Sequence, residues 1–469
     1  MADDVAFASV AELGRLLRQK KTSATELAKY FLDRLERLGP QFNAVVTVTR
    51  ERALAEAAQA DAAIREGKWR GPLHGIPYGV KDLIATKGYP TTWGAEPYRQ
   101  QQLETDATIV ARLGAAGAVL VAKLAMVELA GGMGYNQANA SFSGPGKTPW
   151  NVNYWSGGSS SGPGAAVAAG LVPFAIGSET SGSILTPAAY CGVTGLRPTY
   201  GLVSRHGAMA LAWTMDKLGP LGRSAEDCAT VLAVIAGKDP KDPSSVERGF
   251  KVPQERGAPP PPRFRIGIPK GADKDIQPEV AANFRAALQA LADRVALVED
   301  VELPDLPYGA VAGMIIAAEG ASAFDDLLKD GRLSQLTAPE DRTGGYGALA
   351  VSAPDYLRAL RVRRPMQRAL DDFLKQFDAL AVPTRTTVAT PIDKPFRDGW
   401  PGITGGANVI GPTNVVGVPG ISVPNGFGVQ GLPTGLSFTT RAFDEGKLVA
   451  LGRLYQARTD WHRRQPTLT

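Results

Sequence analysis

Histidine and cysteine are scarce in this sequence. The 469-residue chain has three histidines, His74, His206 and His462, and two cysteines, Cys191 and Cys228. The histidines lie far apart, and none has a second histidine or cysteine at ligand spacing, which argues against a zinc centre. A serine–histidine–aspartate triad would have to draw its base from the same three. Two cysteines cannot staple a chain of this size and form no CxxC pair, so both read as reduced structural thiols. Long apolar runs are also missing: none approaches the roughly 20 residues that cross a bilayer. The opening Met1-Ala2-Asp3-Asp4 is acidic and lacks the apolar region of a secretory signal. A cytoplasmic protein with no metal, no cofactor and no membrane partner is the expectation.

Strong charge is absent too. The net charge is +5, with 21% charged and 44% hydrophobic residues, an ordinary globular balance. The basic clusters at Arg361, Arg363, Arg364 and at Arg463, Arg464 carry no interleaved aromatics on which bases would stack. They read as solvated helix faces, and no direct nucleic-acid partner is expected.

What is present is a succession of short elements. Residues 1–70 read as helices: Ser9 with Glu12 and Ser23 with Glu26 are capping-box pairs, and Leu27, Phe31, Leu32 and Leu35 recur at helical spacing. A third helix is expected over 50–65. Residues 71–225 are dense in Gly, Ser and Ala, with strand-like apolar runs at 119–121 and 174–176 around an Ala-rich helix near 164–170. Residues 240–262 read as a Pro-rich connector ending in Pro259-Pro260-Pro261-Pro262. A strand at 264–268 and a helix at 278–292 follow. Residues 317–377 read as a helical, cap-like insertion, interrupted by a polar, Gly-rich stretch at 339–347 expected to be a mobile loop. Strands at 379–382, 420–423 and 435–438 return the chain to the core across 378–469. Length alone allows about three domains. A core that opens early and closes late argues instead for one α/β domain, a mixed twisted sheet flanked by helices on both faces.

Two segments stand out: Ser156-Gly157-Gly158-Ser159-Ser160-Ser161-Gly162 and Gly177-Ser178-Glu179-Thr180-Ser181-Gly182-Ser183-Ile184. A flexible linker would not run into an Ala-rich helix and an apolar strand. Neither segment carries GxxxxGK[ST] or GxGxxG, so neither is a phosphate loop.

Together the two segments resemble the core of the amidase signature family. So do Pro72-Leu73-His74-Gly75-Ile76-Pro77 running into Val80-Lys81-Asp82, and the turn Pro187-Ala188-Ala189-Tyr190-Cys191-Gly192. Gly195 to Gly201, Val418 to Pro424 and Gly431-Leu432-Pro433 are also similar to it. The resemblance implies a nucleophile at Ser183, a bridging serine at Ser159 behind a cis Gly158–Ser159 peptide, and a base at Lys81. It implies an oxyanion hole from the backbone amides of Thr180, Ser181, Gly182 and Ser183. It implies an acyl-site lining at Met133, flanked by Gly132 and Gly134, although plain packing serves a methionine there equally well.

The chemistry is consistent with those roles. A serine hydroxyl needs a base, and a lysine serves only if burial lowers its pKa well below the free value of about 10.4. A hydroxyl such as that of Ser159 donates to one partner while accepting from another, and so relays a proton. The sequence departs from the family at Glu179, Ser181 and Leu185, where Asp, Gly and Arg are common. A carboxylate therefore stays at 179 without its usual arginine neighbour. The implied activity is hydrolysis of amide C–N bonds, with aryl esters and carbamates as related acyl substrates, by a monomer or homodimer acting on a small molecule. The alternative is the glutamine-hydrolysing component of a transfer-RNA-dependent amidotransferase, its A subunit.

Overall fold

A computed structural model describes residues 5–253, 263–407 and 409–468. Helices begin where the sequence caps them. Ser9 Oγ accepts the Glu12 amide while the Glu12 carboxylate accepts the Ser9 N–H at 2.8 Å, which starts the helix Val10–Arg18. Ser23 and Glu26 do the same for Ala24–Leu38. The third expected helix spans Arg50–Arg65.

Among the described residues thirteen strands follow one another: β1 Val45–Val48, β2 Pro77–Lys81, β3 Val119–Leu124, β4 Lys147–Thr148, β5 Asn151–Trp155, β6 Phe174–Glu179 and β7 Thr194–Arg197, then β8 Lys217–Gly222, β9 Phe264–Pro269, β10 Val295–Val301, β11 Ala379–Pro383, β12 Gly420–Phe427 and β13 Pro433–Thr439. Eleven of them form one mixed sheet in the order β1-β3-β2-β6-β8-β7-β12-β13-β11-β9-β10. The other two, β4 and β5, pair as a small antiparallel ribbon.

Strands β2, β3 and β6 are buried along their whole length, as their near-continuous apolar runs require, and such strands need cover on both faces. Helices such as Ser161–Ala168, Ala24–Leu38 and Ala225–Ile235 pack on the sheet. β2 runs parallel to β6, with Gly79 beside Ala175 and Val80 beside Ile176. Their carboxyl ends therefore open at the same edge, Lys81 closing β2 and Glu179 closing β6.

Two expectations change. The stretch 339–347 is not a loose loop: it folds into the turn Asp341–Gly344 and the 3₁₀ segment Gly345–Ala350, around a fully buried Asp341. Residues 254–262 of the expected connector lie outside the described residues.

Candidate active site

Lys81 is fully buried at the end of β2. Its Nζ donates to Ser159 Oγ at 2.7 Å and to Ser178 Oγ at 2.9 Å. Burial pulls its pKa down to about 7, against the opposing pull of the Asp216 and Glu179 carboxylates. Ser159 follows a cis Gly158–Ser159 peptide. Gly158 is required by crowding: a Cβ there would collide with the Tyr135 hydroxyl and approach Trp155 Cζ2 to 2.7 Å.

Ser183 lies on the neighbouring loop. The Ser160 amide donates to the Ser183 carbonyl at 3.3 Å, which ties the two loops together. Among the described residues no hydrogen bond engages the Ser183 hydroxyl, on a residue only 5% exposed. The structure thus joins Lys81 to Ser159 by side chains and brings Ser183 alongside through the backbone. Gly182 holds the left-handed φ of +93° that this turn needs. Ser181 has no left-handed φ, so its Cβ causes no backbone strain. The amides of Ser181, Gly182 and Ser183 meet no acceptor among the described residues. They are free to bind an oxyanion. Thr180 is anchored through Oγ1, which donates to Asp216 Oδ1 at 2.6 Å.

Behind this loop lies a buried ionic network. Glu179 Oε2 accepts the amides of Ile184 at 2.8 Å and Leu185 at 3.0 Å, which pins the turn that carries Ser183. Its Oε1 accepts Arg197 Nη1 at 2.9 Å and Asn414 Nδ2 at 2.8 Å. Glu179 thus finds the counter-charge that a buried carboxylate needs in Arg197, at the end of β7. Arg197 and Lys217 outweigh the cost of burial and hold the Glu179 carboxyl below its ordinary range. Glu179→Gln would leave Arg197 facing a neutral group. A loss of about 3–5 kcal/mol in urea-unfolding stability is expected, with kcat falling as the turn loosens.

One wall of the site is a cleft of about 280 Å³. It is lined by Gly158 and Ser181, by the aromatic residues Tyr135, Trp155 and Tyr190, and by Arg385, which stands two residues beyond β11. Gly132, Met133 and Gly134 do not line it. Met133 is buried in the main core, and a Cβ added at Gly345 would strike its sulfur. A Cβ on Gly132 would meet Leu211 at 2.6 Å, and one on Gly134 would strike Asp341 Oδ1. Gly132–Gly134 therefore serves contacts between segments, and it is the next residue, Tyr135, that reaches the cleft. Its pattern, an aromatic after a Gly-rich run, gave no sign of that role. The sequence also left Ser178, Arg197 and Arg385 unassigned. Ser178 sits within the second Ser/Gly segment, whereas the other two meet the site only through sheet pairing.

The 128–135 segment is latched to the 337–347 turns by carboxyl groups. Glu128 accepts the amides of Thr337 at 2.8 Å and Ala338 at 3.0 Å, and Asp341 Oδ1 accepts the Tyr135 amide at 3.0 Å. Burial, then the neighbouring Glu128 charge, pushes Asp341 up to about 7. A carboxyl raised on folding lends its full stability below the unfolded value of about 3.9 and loses it as pH rises through the folded one. Hydrogen exchange across 337–347 is therefore expected to speed up between pH 5 and 8 by more than the intrinsic rate change, with an excess of up to about 100-fold that accrues between pH 5 and 7 and then levels off. Asp341→Asn should remove that excess.

No cluster of three or more His, Cys, Asp or Glu side chains placed to hold a metal occurs among the described residues. No helix among them is long and apolar enough to cross a membrane.

The chain is similar to known proteins over nearly its whole length. The profile of the amidase family matches residues 26–449. The A subunit of the glutamyl-tRNA(Gln) amidotransferase from Moorella thermoacetica is 38% identical over 491 residues, covering 98% of this chain and 99% of that protein. Its counterpart from a Roseiflexus species is 39% identical over 487 residues, covering 98% of both. The native peptide amidase of Stenotrophomonas maltophilia superposes with a TM-score of 0.84 at 31% identity, covering 98% of each chain.

Proposed function

The chain belongs to the amidase signature family, and on that premise we propose that it cleaves amide C–N bonds through an acyl-enzyme on Ser183. The observation that carries this reading is the 2.7 Å contact between the buried Lys81 amine and Ser159. A neutral Lys81 accepts the Ser159 proton while Ser159 Oγ takes that of Ser183, whose oxygen bonds to the substrate carbonyl carbon. The amides of Ser181, Gly182 and Ser183 receive the developing negative oxygen. Collapse expels the amine, protonated by the same relay in reverse, and water then releases the acid. Aryl esters and carbamates pass through comparable tetrahedral oxyanions and belong to the same proposal.

A second reading is a glutamine-hydrolysing component that passes ammonia to a partner. The names of the relatives from Moorella and Roseiflexus favour it over a stand-alone amidase, since each matches nearly end to end. The test is ammonia or amine release by the purified chain alone from simple carboxamides and from glutamine. Turnover without a partner supports the stand-alone hydrolase. Glutamine hydrolysis that begins only on adding a partner protein supports the other.

A further inference from the structure

Arg385 occupies an unusual position. It projects into the cleft, accessible to solvent, and makes no ion pair with any carboxylate among the described residues. The phenols of Tyr190 and Tyr135 line the same cleft and interact with Arg385. Around it the walls are aromatic: Trp155 stacks on Phe396 with ring centroids 4.3 Å apart, and Tyr135 meets Trp155 edge-on at 5.9 Å. A second cation, Arg397, stands at the same cleft, largely exposed and only 3.5 Å from its sequence neighbour Asp398. Among the described residues no acidic side chain lines the cleft.

Buried cations elsewhere are met by protein acceptors: Arg197 faces Glu179, Lys123 faces Asp82 at 3.0 Å, and Arg34 and Lys217, without an ion pair, donate to carbonyl and amide oxygens. A guanidinium left without a carboxylate, on the wall that also holds Gly158 and Ser181, is supplied with a planar set of donors and no acceptor of opposite charge. That fork matches a carboxylate bidentately, in surroundings where the bond is strengthened by partial exclusion of water.

We propose that Arg385 selects amide substrates that carry a carboxylate, with an apolar or flat body against the aromatic walls and no ammonium group. An ammonium would meet two arginines and, among the described residues, no acidic side chain on the cleft wall. This rests on the reading of the site as a stand-alone amide-hydrolysing centre rather than a glutamine-hydrolysing component, and the test separates the two.

The experiment uses the purified full chain and three five-carbon amides: neutral pentanamide, anionic glutaramate and zwitterionic glutamine. The expected result is a kcat/KM for glutaramate about 10- to 100-fold above that for pentanamide, the value of one charged hydrogen-bonded contact, with glutamine below glutaramate. Arg385→Met should bring the glutaramate-to-pentanamide ratio near one, and Arg385→Lys should restore part of it. The same ranking should appear in equilibrium binding to Ser183→Ala, which reads the subsite without turnover. Equal binding of glutaramate and pentanamide by Ser183→Ala, a ratio unmoved by Arg385→Met, or preference for glutamine over glutaramate would each overturn the proposal. Selective binding to Ser183→Ala with no turnover of any amide by the wild type would instead sink the catalytic reading and leave Arg385 as an anion site.

Discussion

Ser183→Ala is expected to abolish amide hydrolysis, lowering kcat by about 10⁶-fold, as removal of a nucleophile does when the groups around it act as a unit. Stability should change by less than about 1 kcal/mol, because the Ser183 hydroxyl holds no hydrogen bond among the described residues and its removal strands no buried partner. The pairing of those two results is the informative part. A folded, inert variant that no longer reacts with a fluorophosphonate probe places the nucleophile at Ser183. Probe labelling at any other residue, or turnover that survives the substitution, would overturn the assignment.

The second large effect concerns Lys81. Burial brings its amine to about 7, so the neutral form that accepts a proton is scarce at pH 5 and dominant at pH 9. kcat is expected to climb roughly 10-fold per pH unit below that value and to level off above it. Lys81→Met keeps the length and apolar character of the side chain and removes the base. It should cost about 10²- to 10⁴-fold in kcat and flatten the rising limb of the pH profile. Its cost in stability should stay at about 1–3 kcal/mol, because it removes an amine from a site that disfavours charge but leaves the buried hydroxyls of Ser159 and Ser178 without that donor. A profile that keeps its limb in Lys81→Met would assign the titration to another group.

These roles were visible in the sequence to different depths. Local grammar was readable: Ser9 with Glu12 and Ser23 with Glu26 cap helices through contacts three residues apart. The run from Ile76 to Val80 placed Lys81 at a buried strand end, because a continuous apolar stretch has few other places to go. Ser159 and Ser183 came from motif resemblance. What sequence did not disclose depends on contacts across the sheet. Arg197 answers Glu179 because β7 and β6 both flank β8, and nothing in the spacing of the two residues marks them as partners. The stretch 339–347 misled because its Gly-rich polar composition suggests a loop, whereas Asp341 is drawn inward by the amide of Tyr135, 206 residues away. Arg385 gave no signal at all, standing in a Thr-rich turn whose position over the cleft is fixed by β11.

The strand order also sets a schedule for synthesis. β12 and β13 fill the middle of the sheet, between β7 on one side and β11 on the other. Arg197 itself donates to the carbonyl of Val418, 221 residues further along the chain. At 5–20 residues per second, a ribosome needs roughly 10–40 s to travel that distance. Through that interval the nascent chain holds the serines and the lysine of the site but not the strand that completes their support. A polypeptide stopped short of β12 is therefore an exposed half-sheet, a client for chaperones rather than a smaller enzyme.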